Sequence, residues 1–145
     1  MLNMGRIAIH IHGLAKEKAY REMLKNYGDR IKSRGISIVF HKSKKSLVEY
    51  FTEINSKAGL FLLDESGMEY TSRNFTKLIK QWIVCDRDIN LAIGPVDGWG
   101  EYKLQTANLI ALSKMTFPHE LAAVMLVEQV YRATEIIKGT NYHRD

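Results

Sequence analysis

Hydrophobic and polar positions along the chain follow two different periods, one typical of strands and one typical of helices. Residues 6–13, RIAIHIHG, alternate with a period of two and end on a glycine, which predicts a β-strand. Residues 14–33 place apolar side chains at nearly helical spacing, which predicts an amphipathic helix. The same signals predict extended segments at 35–42, 60–67, 89–94 and 110–115, and helices at 46–59, 72–84, 101–109 and 118–139.

Strands and helices alternate in this pattern, and the later strands are apolar along nearly their whole length. The runs LFLLDESG and INLAIG are typical of strands that are buried on both faces of a parallel sheet. We therefore expect an α/β fold with a mostly parallel sheet flanked by helices, in a single domain spanning residues 1–145. Ligands in such folds bind beyond the carboxyl ends of the strands, which here are LDESG, GPVDGWG and SKMTFPH.

Helix boundaries are marked by capping residues. Ser46 and Ser72 are candidate N-caps of the second and third helices. Pro118 is expected in the first turn of the last helix, and Gly139 is expected as its C-cap.

The last predicted helix carries apolar residues in two stripes. A helix that is apolar on two faces packs against two things, so we expect one stripe to meet the sheet and the other a second subunit. Glu128 and Arg132 are four residues apart and can pair, and an ordinary surface ion pair is the simpler interpretation. The first stripe is Ala122, Met125, Leu126, Gln129, Ala133, Ile136 and Ile137, and the second is Leu121, Val124, Glu128 and Tyr131.

Charge is spread unevenly along the chain, which has a net charge of +5. Residues 1–60 carry twelve Lys/Arg and five Asp/Glu, a difference of +7, whereas residues 61–145 carry nine and eleven, a difference of −2. Residues 30–47 contain six Lys/Arg and no acidic residue. A one-sided basic surface indicates a polyanionic partner, and a merely solvated charged face is the alternative.

Composition narrows the class of protein. The single cysteine, Cys85, excludes an intrachain disulfide and fits a reducing compartment. The start, MLNMGR, lacks the apolar run of a signal peptide, and no stretch approaches the ~18 apolar residues of a membrane span, so we expect a cytoplasmic protein without a membrane partner. His10 and His12 share one face of a strand, but no third ligand has a suggestive spacing, so no metal is expected.

The loop GPVDGWG, residues 94–100, leaves two interpretations open. It has neither the spacing of a dinucleotide fingerprint nor the lysine of a phosphate-binding loop. It is either a tight strand-to-helix turn or a cofactor loop. Trp99 either stacks on a base or anchors the loop.

Three segments of the C-terminal half carry a family resemblance. LAIGPVDG (91–98), LSKMTFPHEL (112–121) and VEQVYRATEIIKGTNYHRD (127–145) closely resemble the ribosomal large-subunit methyltransferase H family, and LLDESG (62–67) matches one of its strand ends. These SPOUT-class enzymes use S-adenosylmethionine to methylate N3 of a pseudouridine in large-subunit (23S-type) rRNA, in the stem-loop at the subunit interface. The resemblance implies that reaction, a C-terminal trefoil knot and a homodimer working on rRNA within the ribosome.

The resemblance also implies site residues. The cofactor-binding positions are Leu63, Gly94, Leu112, Ser113, Lys114, Met115, Thr116 and Phe117, and the catalytic candidates are His119, Glu128, Arg132, Tyr142, His143 and Arg144. Either histidine or Glu128 can accept the N3 proton. Tyr142 can stack on the target base, and the two arginines can hold a phosphate or a base carbonyl. The basic segment of residues 30–47 would then bind the phosphates of the rRNA backbone without reading its sequence.

Three positions depart from the family pattern. Pro95 stands where the family usually has a second glycine, Ala123 where it has an arginine, and Asn141 where it has a proline. Loss of the cation at Ala123 is expected to weaken RNA binding or a dimer contact. The alternatives are therefore a non-catalytic dimeric RNA-binding protein of the same fold, and a SPOUT methyltransferase that acts on another RNA such as tRNA.

Overall fold

The computed structural model describes residues 6–106 and 108–145, so the parts of the predicted single domain and of the 101–109 helix that fall on residues 1–5 and Ala107 lie outside the described residues. Along the described chain the elements are β1 (Ile7–His12), α1 (Lys18–Lys32), β2 (Ile36–His41), α2 (Leu47–Asn55), β3 (Leu60–Glu69), α3 (Ser72–Val84), β4 (Ile89–Ile93), a 3₁₀ helix (Gly100–Gln105), β5 (Leu109–Ala111) and α4 (His119–Lys138). None of the helices in this part is long and apolar enough to cross a membrane.

The strands form one sheet in the order β2-β1-β4-β3-β5, and each neighbouring pair is parallel. This confirms the predicted α/β class with a parallel sheet flanked by helices. The central strand β4 is buried at all five of its residues, as its unbroken apolar run indicates.

Helices cover both faces of the sheet. Because side chains alternate along a strand, successive residues of β4 enter different cores. Leu91 packs in the core formed with α1, α3 and α4, whereas Ala92 packs in a smaller core formed with α2 and the 3₁₀ helix. The sheet therefore lies between two helical layers.

Several predicted boundaries need correction. The helix expected at 101–109 is wrong, because the 3₁₀ helix ends at Gln105 and Leu109 already pairs with Leu62 of β3. Of the extended segment expected at 110–115, only the part up to Ala111 lies in a strand. The residues left between the two elements are too few for an α-helix.

The helix caps are partly as predicted. Ser46 is confirmed as the N-cap of α2 by a capping box with Glu49. The N-cap of α3 is Thr71 and not Ser72, because the Thr71 hydroxyl accepts the Asn74 N–H at 3.0 Å. Pro118 is itself the N-cap of α4, and Gly139 is confirmed as the C-cap in the left-handed conformation with φ of 76°.

The two stripes predicted for the last helix are separated by a third face, which is more deeply buried. Ala123, Val127 and Val130 belong to neither stripe, yet each is 0% exposed. These three residues form the centre of the buried face, and the two stripes lie on either side of it, with Met125 and Gln129 only partly buried. A small residue and two β-branched residues at its centre let α4 pack closely on the core. Leu121 and Met125, one from each stripe, line a groove at the surface, so contact of this flank with a second subunit stays a prediction.

A hydrogen-bonded chain of polar side chains lies in the core between β1, β2 and β4. His10 Nε2 lies 2.8 Å from Asn90 Oδ1, and His10 Nδ1 lies 2.8 Å from His41 Nε2. The Asn90 amide nitrogen donates to the carbonyl of Ala58, so its oxygen accepts from His10 and leaves Nδ1 to accept from His41. His12 bonds the Lys45 carbonyl instead. Among the described residues no three His, Cys, Asp or Glu side chains are arranged to hold a metal.

Stability should depend on pH through this histidine pair. Burial lowers the pKa of both His10 and His41 below the usual value. The unfolded chain therefore binds more protons, so the contribution to stability is complete above about pH 6.5 and is lost as the pH falls below it. We expect the melting temperature to drop between pH 7.5 and 5.5, with a shallower drop in His41→Gln. Circular dichroism melts at three pH values measure this, and an unchanged slope in the variant would contradict it.

Candidate active site

A cavity of about 430 Å³ opens at the carboxyl edge of the sheet, beyond the ends of β3 and β4. Its volume lies within the range of small-molecule sites, roughly 300–1,000 Å³. Four pieces of chain form its walls: the end of β3, the loop after β4, the segment after β5 and the first turn of α4. The lining residues are Leu63, Asp64, Glu65, Ile93, Gly94, Pro95, Val96, Asp97, Gly98, Trp99, Gly100, Lys103, Leu112, Ser113, Met115, Thr116, Phe117, His119 and Ala122.

An irregularity in β3 forms one wall. Ile110 of β5 pairs with both Leu63 and Met68, so residues 64–67 loop out between the two pairings. Gly67 lies directly against β5, where an added Cβ would come within 2.5 Å of the Leu109 carbonyl carbon. A side chain at Gly67 would therefore push the loop off the strand. The excursion of the chain brings two carboxylates, those at positions 64 and 65, to the cavity.

The loop of residues 94–100 forms the facing wall. It is a turn closed by the Gly98 N–H, which donates to the Pro95 carbonyl at 2.8 Å. Gly98 and Gly100 have φ of 78° and 57°, a region that favours glycine. Trp99 between them is only 2% exposed, so it anchors the loop and is not available to stack on a base. The loop is thus both a strand-to-helix turn and a cavity wall.

Charge at the cavity is mainly negative. Asp64, Glu65 and Asp97 line it, and the Lys103 ammonium lies 3.6 Å from an Asp64 oxygen. His119, the first residue of α4, also lines it, and partial burial lowers the pKa of its imidazole. A neutral imidazole near pH 7 is able to accept a proton.

The structure brings seven of the eight predicted cofactor residues to this one cavity: Leu63, Gly94, Leu112, Ser113, Met115, Thr116 and Phe117. The exception is Lys114, whose side chain is 87% exposed and lies 3.8 Å from Glu69 outside the lining. The sequence predicts a site at the strand ends but does not single out Asp64, Asp97 or Lys103. Nothing in the pattern tells which loop side chains line the cavity.

Four of the six predicted catalytic residues form a second group, made by Glu128 and Arg132 of α4 and by Tyr142 and His143 of the tail that follows it. Arg132 Nη2 donates to Glu128 Oε1 at 2.6 Å, and the Tyr142 hydroxyl donates to the same oxygen at 3.1 Å. The Arg132 guanidinium lies 5.0 Å from the centre of the Tyr142 ring, and its Nη1 lies 3.1 Å from His143 Nδ1. The predicted pairing of Glu128 with Arg132 is therefore present and forms part of a larger network.

The end of the chain is fastened to α3. Both Asp145 carboxylate oxygens accept from Arg73, at 3.1 and 2.8 Å, and Asp145 also accepts from His143 Nε2 at 2.9 Å. The bonds from Arg73 and His143 lower the pKa of Asp145 to about 2. Arg144 is exposed. No sequence pattern singled out Arg73, which lies 72 residues before its partner.

The two groups of catalytic candidates do not meet within one chain. His119 lines the cavity, whereas Glu128 lies 128 − 119 = 9 residues further along the same helix. That separation is about 13 Å at ~1.5 Å per residue. Within a single chain, His119 is therefore the candidate base at the cavity, whereas Glu128 and His143 belong to a separate polar cluster.

The departures from the family pattern are structurally mild. Ala123 is 0% exposed, so its methyl group packs in the core, and the expected effect of the missing cation on RNA binding or a dimer contact stays a prediction. Asn141 is exposed, yet the tail after it packs, with the Tyr142 ring 4.8 Å from Tyr131. Pro95 supplies the carbonyl that closes the cavity turn.

This architecture defines the class of α/β proteins that bind a small ligand at the carboxyl edge of a parallel sheet. A family model described as predicted SPOUT methyltransferase matches residues 5–143. The chain therefore belongs to the SPOUT methyltransferase family.

Relatives share most of its length. The ribosomal RNA large subunit methyltransferase H of Prochlorococcus marinus (strain MIT 9515) is 34% identical over 145 residues, covering 99% of each chain. The protein of that name in Mycoplasmopsis synoviae (strain 53) is 32% identical over 139 residues, 88% of this chain and 92% of the relative. That of Cereibacter sphaeroides (strain KD131 / KCTC 12085) is 43% identical over 88 residues, 60% of this chain and 57% of the relative.

The ion pair at the chain end should order the tail without supporting the fold. Both side chains are exposed, and exposed ion pairs contribute little to stability, so Arg73→Ala should leave the melting temperature nearly unchanged. We expect the amides of residues 142–145 to become more mobile in ¹⁵N relaxation measurements, whereas Lys80→Ala, an exposed substitution on the same helix, should leave them as they are. Equal tail mobility in the two variants would contradict this role.

Proposed function

We propose that the chain methylates N3 of a pseudouridine in large-subunit rRNA, in the stem-loop at the subunit interface, with S-adenosylmethionine as methyl donor. The observation that carries the proposal is the convergence of seven cofactor positions on one cavity, in a chain of the SPOUT methyltransferase family. The family implies a donor of the S-adenosylmethionine type. The relatives' names supply the rRNA substrate, and the ribosome and the cytoplasm as its setting are part of the proposal.

The residues of the cavity fit such a donor. Its walls combine apolar side chains, among them Leu63, Leu112 and Phe117, with a glycine-containing loop whose backbone a flat adenine can approach closely. The carboxylates of Asp64 and Asp97 suit the positive charge of a sulfonium and an amino group. When bound, the donor supplies a methyl group already activated by its sulfonium charge, so alignment provides much of the rate.

The chain must also remove the N3 proton, because a neutral imide nitrogen is a poor nucleophile. Of the three candidate bases, His119 is the one that lines the cavity, and the lowered pKa of its imidazole keeps it neutral. His143 already accepts from Arg132 at Nδ1 and donates to Asp145 from Nε2. We therefore assign the proton to His119 and leave Tyr142, Arg132 and Arg144 to hold the target nucleotide.

A homodimer completes the site in this proposal. Within one chain the tail cluster is too far from the cavity, so the tail of one subunit is expected to serve the cavity of its partner. A groove of about 340 Å³ along the open flank of α4, lined by Leu121, Met125, Gln129 and Met23 among others, suits such an interface. The trefoil knot expected for the family belongs to the same proposal.

The basic segment is the proposed rRNA contact, with a narrower set of cations than its sequence indicates. Arg34 lies 3.2 Å from Glu135 and is mostly buried in that pair. Lys45 pairs with Glu53. Lys32, Lys42 and Lys44 are exposed and able to meet phosphates.

The test combines donor binding with product mapping. Calorimetry should show S-adenosylmethionine binding to the purified chain, and ribosomes from a deletion strain should gain one methyl group per large subunit, on a pseudouridine, when enzyme and donor are added. Absence of donor binding would contradict any methyltransferase activity. Donor binding with methylation of tRNA in place of rRNA would contradict the substrate assignment alone. A chain that binds rRNA without binding the donor would support the alternative of a non-catalytic RNA-binding protein.

A further inference from the structure

Pairing between the two strands that flank the cavity ends at a defined point. Leu63 of β3 and Ile93 of β4 are the last residues in register, and beyond them the strands diverge around the cavity. At this point a buried side chain bonds each carbonyl. The Trp99 indole N–H donates to the Leu63 carbonyl at 2.9 Å, and the Tyr50 hydroxyl donates to the Ile93 carbonyl at 2.8 Å.

The two donors pack as one unit. Tyr50 is 0% and Trp99 is 2% exposed, and their rings stack with centroids 5.5 Å apart and planes only 14° from parallel. Burial raises the pKa of the Tyr50 hydroxyl well above its usual value, so it remains a donor at any physiological pH. An offset stack of this kind adds rigidity beyond the two hydrogen bonds.

The same unit fixes the cavity wall. A Cβ added to Gly94 would lie 3.2–3.4 Å from three atoms of the Trp99 indole, so the ring packs directly on the backbone at the start of the loop. Trp99 is also the second-to-last residue of the 94–100 loop, so its bond to the Leu63 carbonyl holds the far end of the loop as well. The loop is thereby fixed before any ligand arrives.

We infer that Tyr50 and Trp99 act as positioning residues, which preorganise the loop of residues 94–100 for the methyl donor. Tyr50 does not line the cavity, and Trp99 lines it with only 2% of its surface exposed. Helix α2, which lies on the opposite face of the sheet from α4, thereby acquires a role in donor affinity. The inference rests on the proposed function, since it takes the cavity to be the donor site. A loop that is already ordered spares the donor the cost of ordering it on binding.

Two variants remove one hydrogen bond each and keep the aromatic ring: Trp99→Phe and Tyr50→Phe. Trp82→Phe is the matched control, because Trp82 is also buried, packs on Phe61 with centroids 5.0 Å apart and does not line the cavity. Isothermal calorimetry gives the Kd for S-adenosylmethionine, and hydrogen exchange without donor reports the order of residues 94–100.

We expect the first two variants to bind the donor about 3- to 10-fold more weakly, in line with the loss of one buried hydrogen bond, and to exchange faster in residues 94–100. The control should lower the melting temperature while leaving Kd and loop exchange as in the parent. Either Phe variant suffices if the other does not fold. Parent-like Kd and exchange in a folded variant would overturn the inference while the proposed function stands, whereas a parent chain without donor binding would overturn the proposed function itself.

Discussion

The end of pairing between β3 and β4 at Leu63 and Ile93 is the constraint on which the rest of the structure depends. A parallel sheet buried on both faces needs its strand-end carbonyls bonded, and here buried aromatic donors meet two of them. Because the strands part at this point, the loops that follow are free to diverge and enclose a cavity. The bulge of β3, the turn after β4 and the start of α4 all meet at this opening.

The sequence was informative where burial alone decides structure. The alternating run of β1 and the apolar runs of β3 and β4 predicted a parallel α/β sheet, and that prediction is confirmed. The sequence was misleading for α4. Ala123 lies outside both predicted apolar stripes, and only the structure shows that it lies in the core. The helix expected after Gly100 failed for a similar reason, since pairing of Leu109 with a distant strand overrides the local helical preference.

The candidate site was predictable in its segments but not in its geometry. Family resemblance selected residues 112–117, and those residues do reach the cavity, except for the Lys114 side chain. Spacing alone does not reveal that His119, at the start of α4, lies apart from the cluster that Glu128 and Arg132 form with the tail. Nor does it reveal the bond of Asp145 to Arg73, which depends on how α3 packs against α4. Long-range contacts of this kind follow from tertiary packing and leave no local pattern.

The division of the site suggests how catalysis is organised. One chain offers a cavity with His119, and a tail with Tyr142, His143 and Arg144 that is held at a distance. Two copies related by a two-fold axis can bring each tail to the other copy's cavity, because a symmetric interface exchanges the same contacts in both directions. In the proposed function, the catalytic role of the tail depends on the dimer and not on the fold of a single chain.

The most direct test of this organisation is a mixed dimer purified with two different affinity tags. One subunit carries Gly94→Val, whose side chain would press on the Trp99 indole and displace the 94–100 loop that forms a cavity wall, and the other lacks residues 142–145. Each altered chain alone should be inactive, whereas the mixed dimer should regain about half of the parent activity, because one intact cavity meets one intact tail across the two-fold axis. An inactive mixed dimer, or a chain that methylates rRNA as a monomer, would contradict the account.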